Sequence, residues 1–301
     1  MTLFRSKCNR FVYYVLSSPL FDYHIGSFNT STINQLTISN LNSLVIPLPQ
    51  ADEQSKIADY LDNKCGQIDS IIEKQQTAIE KLQAYKQSVI TEAVTKGLDP
   101  SVPMKDSGIE WIGEIPQEWE IKRLKYCFCL KTRKANSQNN PVALENIESW
   151  SGRYIATESV FDGEGVAFEK GDILFGKLRP YLAKVYLAEF SGTGIGDFFI
   201  LRPQQQMHGS YSAYLLRTHM YINVIDGSTY GAKMPRASWE FMGNLPCIAP
   251  PAEEQKRIAE FVNSKCAEID NTIEQKQKLI DRLNDYKKSL IFEAVTGKIE
   301  V

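Results

Sequence analysis

From Cys65 onward, Cys65, Ile68, Ile72, Gln75, Ile79, Leu82, Lys86, Val89 and Ala93 follow one another at alternating steps of three and four residues. That period places them on one face of an α-helix and reads as a coiled-coil seam. The pattern returns at Cys266, Ile269, Ile273, Lys276, Ile280, Leu283, Lys287, Leu290 and Ala294. Proline followed by acidic residues opens both stretches, as expected of a helix N-terminus. Both seams carry polar residues at the same two positions, Gln75 and Lys86 in one, Lys276 and Lys287 in the other. Such residues weaken a seam but fix its register and the orientation of the partner. Two long helices, over 51–96 and 252–296, are predicted to pair with each other.

The seams belong to a longer repeat. Residues Pro49 to Thr95 align without a gap to Pro250 to Thr296 at an offset of 201, with 23 identities in 47 positions. The stretch just before, Gly26 to Leu48 against Gly227 to Ala249, has 3 in 23. Between the helices lie a linker, Gly97 to Gly108, and a segment with strand-like runs at Lys184 to Phe190 and Asp197 to Arg202 and one late helix near Tyr211 to Ile225. The predicted fold class is α+β: one complete mixed α/β domain plus two long repeated helices forming an antiparallel coiled coil. The intervening domain leaves room for an antiparallel return of the second helix, and chain path alone also allows a parallel one. YYVLSS at Tyr13 matches YLLRTH at Tyr214 with a one-residue shift, so residues 1–48 read as the closing remnant of a second such domain. A full second copy would need more chain ahead of Met1. The predicted segments are 1–48 (remnant), 49–98 (first helix), 99–250 (linker and complete domain) and 251–301 (second helix).

Composition narrows the function. With 301 residues, 43% of them apolar, the chain can build more than one core. A formal charge of −2 gives no overall basic signal, so attraction to nucleic acid has to come from local placement of charge. The six cysteines form no CxxC pair and sit in apolar surroundings, which suits reduced residues of a cytoplasmic protein. Three histidines without ligand spacing make a metal site unexpected, and no cofactor is expected. Arg5, Lys7 and Arg10 before FVYYVLSS imitate the start of a signal peptide, but the repeat accounts for that stretch. No run approaches the roughly 18 apolar residues of a membrane span.

GDILFGKLRPYL (Gly171 to Leu182) contains G-x-x-x-x-G-K, but Leu178 stands where a phosphate-binding loop needs Ser or Thr for Mg²⁺. Asp172 to Phe175 reads as a buried strand that delivers Lys177, Arg179 and Tyr181 to a surface. A second cluster, Ser228, Thr229, Tyr230, Lys233 and Arg236, lies in the Gly-rich loop GSTYGAKMPR. Arg can bond guanine through two N–H groups, Lys and hydroxyl side chains reach phosphates, and Gly lets backbone approach a duplex. In the aligned GSFNTSTINQ, Thr32 and Gln35 replace Lys233 and Arg236, as expected of loops reading different bases. A third cluster, Lys131, Arg133 and Lys134, reads equally well as DNA contact or as a solvated loop. No methyltransferase-like [DN]-P-P-[YF] motif, cofactor loop or convincing nuclease motif is found; Glu254-Gln255-Lys256 has E-x-K spacing, but its duplicate is Glu53-Gln54-Ser55.

SGIEWIGEIPQEW (Ser107 to Trp119), GKLRPYLAKV, GDFFILRP, GAKMPRASW and LPCIAPPAEEQKRIA, in this order and with the duplicated helix, resemble the specificity subunit of type I restriction-modification systems. The resemblance covers essentially the whole chain. It implies a non-catalytic subunit that binds double-stranded DNA, with two target-recognition domains each reading half of a split site and an antiparallel helical pair between them. It implies docking to two methyltransferase subunits and to a restriction subunit, which carry the catalysis. With one complete recognition domain, self-association could supply a second. The competing classes are a structural coiled-coil interaction module and a DNA-modifying enzyme.

Overall fold

The computed structural model describes residues 6–20, 45–135, 139–157, 164–229 and 233–301. The chain divides into two compact units, Met1–Gln83 with Ile269–Val301, and Ala84–Glu268. Among the described residues no helix is long and apolar enough to cross a membrane.

Among the described residues the first elements in chain order are α1 (Asn9–Leu16) and the 46-residue α2 (Ala51–Lys96). Strands β1 (Met104–Asp106), β2 (Glu114–Pro116) and β3 (Glu120–Arg123) lead through the short α3 (Leu124–Cys127) to β4 (Phe128–Lys131). Then come β5 (Pro141–Val142), β6 (Gly165–Phe168), β7 (Ile173–Gly176), β8 (Val185–Leu187), β9 (Gly192–Ile195) and β10 (Phe198–Pro203). Helices α4 (Gly209–Leu216), α5 (His219–Gly227) and α6 (Trp239–Met242), strand β11 (Pro246–Ala249) and the 44-residue α7 (Ala252–Val295) complete the chain.

Both long helices begin in the same way. Gln54 Nε2 donates to the Pro49 carbonyl and Gln255 Nε2 to the Pro250 carbonyl, each at 2.8 Å. Acidic pairs, Asp52 and Glu53 or Glu253 and Glu254, occupy the first turns, where they favour the helix dipole. The helices are antiparallel. In the first unit Ile57, Leu61, Cys65 and Ile68 of α2 share a core with Leu290, Ile291, Ala294 and Val295 of α7. In the second, Ile90, Ala93 and Val94 share one with Ile258, Ala259, Val262 and Cys266. Early residues of one helix thus meet late residues of the other, and the parallel alternative is excluded. The predicted polar seam positions meet partners: Lys276 Nζ donates to Gln75 Oε1 at 3.0 Å, and Lys287 Nζ pairs with Asp69 at 2.6 Å. Gln75 and Lys276 are each other's counterparts at the 201-residue offset, so the repeat's symmetry centre falls on this bond.

In the first unit α1 packs Phe11, Tyr14 and Val15 against both long helices. Its contacts duplicate those of α4 in the second unit, at an offset of 200. Tyr14 donates to Asp62 Oδ1 and Tyr214 to Asn263 Oδ1, both at 2.6 Å. Ser18 Oγ donates to the Val15 carbonyl as Thr218 Oγ1 does to that of Leu215.

The second unit is built on an antiparallel four-stranded sheet in the order β4-β10-β7-β8, with a three-stranded sheet, β5-β9-β6, and the pairs β1-β2 and β3-β11. Trp119, Tyr211, Tyr221, Phe128 and Phe175 fill its core. Trp119 Nε1 donates to Glu254 Oε2 at 2.9 Å, so the glutamate of the E-x-K triplet ties the domain to the start of α7. Gly97, at φ 80°, ends α2 against that pair: a Cβ there would lie 3.2 Å from Glu254 Oε1 and 3.3 Å from the Trp119 ring. The single helix expected over Tyr211 to Ile225 is two helices. Thr218 is extended (φ −64°, ψ 147°), caps the second helix from its N-terminal side and returns its hydroxyl to the first.

Candidate nucleic-acid interface

The strand read from GDILFGK is β7, buried along its whole length. Its register sets the path of the chain beyond it. Gly176 pairs with Phe198 of β10, so Lys177 leaves the sheet beside Asp197, whose carbonyl accepts the Lys177 N–H at 2.8 Å. The next residues are joined to the Gly-rich loop: Leu178 bridges Arg236, the Arg179 N–H donates to the Pro235 carbonyl, and the Ala237 N–H to that of Lys177, both at 2.8 Å. Two clusters far apart in sequence are therefore one surface.

Arg179 adopts the left-handed conformation (φ 51°, ψ 64°), and Pro180, buried, starts a 3₁₀ turn that ends at Ala183, also left-handed (φ 47°). This tight return to β8 leaves Arg179 and Tyr181 exposed. Lys233 and Arg236 are exposed as well, with Met234 between them. Ser228 Oγ and Thr229 Oγ1 each donate at 2.7 Å to carbonyls at the end of α5, Ile225 and Asp226. These hydroxyls anchor the loop's first turn to the helix. Tyr230 lies outside the described residues.

The sheet gathers the third basic cluster to the same end. Lys131 of β4 pairs with Ile200, two residues into β10, so the chain beyond β4 runs out where β10 begins. Lys134 bridges Val166 and forms an exposed ion pair with Glu164. Lys184, at the start of β8, donates to the Leu144 carbonyl at 2.7 Å, and burial lowers its pKa.

Sequence reasoning does not mark Asp197. Arg236 donates to it through Nε at 3.2 Å and Nη2 at 3.1 Å, and Lys177 Nζ lies 3.7 Å from Oδ1. Gly-Asp before an apolar strand is the available signal: Gly196 takes φ 81° and turns the chain into β10. At the far end of the same sheet Asp172, only 2% exposed, accepts from Arg202 Nε at 2.7 Å and Nη2 at 2.9 Å. One end of the sheet is closed by an ion pair whose carboxylate is buried, and the other presents Lys177 and Arg236, 30% and 44% exposed, around Asp197.

Residues 1–81 match the type I restriction modification DNA specificity domain. The chain is similar to the type I restriction enzyme EcoDI specificity subunit of Escherichia coli, 23% identical over 293 residues that cover 89% of this chain and 65% of that one. To the MjaVIII specificity subunit of Methanocaldococcus jannaschii it is 26% identical, over 86% of this chain and 63% of that one. The chain thus spans a little under two thirds of these relatives. Its fold is similar to a chain from a solved type I R-M system (TM-score 0.71, 13% identity, 95% of this chain and 70% of that one). It is also similar to the HsdS subunit from Thermoanaerobacter tengcongensis (TM-score 0.54, 14% identity, 96% and 70%). In its matched domain and in relatives aligned along most of its length, the chain is similar to the specificity subunits of type I restriction-modification systems, and its fold is similar to theirs.

Proposed function

We propose that the chain reads one half of a bipartite double-stranded DNA site through its complete α/β domain and docks methyltransferase subunits through its repeated helices. The observation that carries this reading is the bridge between Leu178 and Arg236, which merges the Lys177–Tyr181 turn and the Lys233–Arg236 loop into one exposed basic surface. The Lys233–Arg236 half of that surface lies in the stretch that the repeat does not hold constant, as side chains reading different bases require, whereas Lys177–Tyr181 has no counterpart to compare. Surfaces that meet the same partner twice should instead be repeated. Tyr85 and Tyr286, counterparts at the 201-residue offset, are both 57% exposed, and the helix ends over Tyr85 to Thr95 and Tyr286 to Thr296 are our two docking places. On this reading catalysis belongs to the methyltransferase and restriction subunits, and the complex works in the cytoplasm.

The duplicated contacts of α1 and α4 support assigning residues 1–48 to the closing part of a first recognition domain. A second copy of the chain would then be one source of the other half-site reader. Coexpression with a type I methyltransferase subunit from the same genome, followed by native mass measurement and gel shift, tests the assignment. The expected outcome is a complex with methyltransferase, two copies per chain, that shifts duplex DNA. A chain that stays free of methyltransferase at micromolar concentration contradicts it.

A further inference from the structure

A carboxylate in the middle of a surface built to meet phosphates repels them, so Asp197 calls for an explanation. Its backbone is fixed by the Gly196 turn and by the hydrogen bond from Lys177 N–H. A Cβ at Gly196 would meet nothing within 4 Å, so glycine is required there for its positive φ and not for space. The side chain, 23% exposed, engages cations from two segments, Lys177 and Arg236. Arg236 is held at both ends: its backbone by the bridge to Leu178, its guanidinium by Asp197. Asp197 takes the guanidinium from the side, through Nε and Nη2. A guanine presents its O6 and N7 acceptors to two parallel N–H groups of an arginine, and a carboxylate on the Nε side orients that fork.

We infer that Asp197 is a positioning residue for base readout, which holds the Arg236 guanidinium in one orientation so that it discriminates between base pairs rather than only attracting phosphate. This inference rests on the DNA-reading proposal above and names its specificity device. A long arginine without such a buttress loses more side-chain freedom on binding and can settle on a phosphate. Asp197 thus lowers general attraction to DNA and raises selectivity, two effects that move in opposite directions when it is neutralised.

The experiment uses the chain assembled with its methyltransferase and a randomised duplex pool. Preferred sequences are selected with the wild-type complex, and binding of a preferred and a scrambled duplex is then titrated for wild type and Asp197→Asn. The expected result is equal or tighter binding of the scrambled duplex, with the preferred-over-scrambled ratio falling about tenfold and the loss concentrated at one base position. An unchanged ratio, or equal weakening on both duplexes, overturns the inference while leaving the DNA reading in place. A wild-type complex that binds no duplex overturns the DNA reading and this inference with it. Circular dichroism checks the fold of each variant, and Asp197→Ser, with its smaller polar side chain, is read by the same ratio should asparagine unsettle the turn.

Discussion

Asp172 closes one end of the four-stranded sheet, bonded at 2.7 Å to Arg202 of β10. Its position before Ile-Leu-Phe marks the start of a buried strand, and β7 begins at the next residue. Its partner is thirty residues away, and no local pattern links the two. In the structure the carboxylate is all but buried, accepts the Glu169 N–H at 2.8 Å, and receives both Nε and Nη2 of Arg202. The hydrogen-bonded carboxylate, with that of Glu169, raises the arginine's pKa. Asp172→Asn leaves Arg202 without this charge partner in a half-desolvated place. Because Arg202 keeps Glu169 at 3.0 Å and is a third exposed, chemical denaturation should show a loss of roughly 1.5–3 kcal/mol, the scale of a hydrogen bond to a charged group. Asp197 is hidden for the same reason: its meaning comes from Lys177 and Arg236, which only the strand register brings to it.

At the scale of elements, periodicity makes both long helices legible because a seam repeats its signal over many turns. Their direction is not fixed by that signal and has to come from which ends share a core. The break at Thr218 escapes the pattern because apolar residues continue through it on both sides. The match between YYVLSS and YLLRTH is visible, and the structure supplies its physical content in Tyr14 and Tyr214. The two copies differ in one testable way. The Tyr14 hydroxyl, and then Arg10, hold the Asp62 carboxyl below the usual carboxylate range, whereas Tyr214 bonds to the uncharged Asn263. A carboxyl with a depressed folded pKa contributes stability above its unfolded value, near 3.9, and loses it as the pH falls through the folded value. The protection of α1 amides against exchange, measured relative to the intrinsic rate at each pH, should therefore fall from about pH 4 downward, more than that of α4 amides. Asp62→Asn should remove that difference.

For the molecule as a whole, the division between a repeated and a non-repeated part is the most informative feature of the sequence, because it separates contacts made twice from contacts that must differ. The basic clusters are legible as residue types, but their union into one surface is not. It depends on the antiparallel pairing of β7 with β10 and on the bridge from Leu178 to Arg236. The measurement that bears most directly on this union is a titration of the methyltransferase-loaded chain with preferred and scrambled duplexes over a series of salt concentrations. Lys177→Ala should weaken binding to every duplex alike and reduce the salt slope by about one phosphate contact. Arg236→Ala should cost about 1–3 kcal/mol on the preferred duplex and relax the choice of base at one position. Unchanged affinity, salt slope and discrimination in both folded variants would show that this end of the sheet is not where the chain meets DNA.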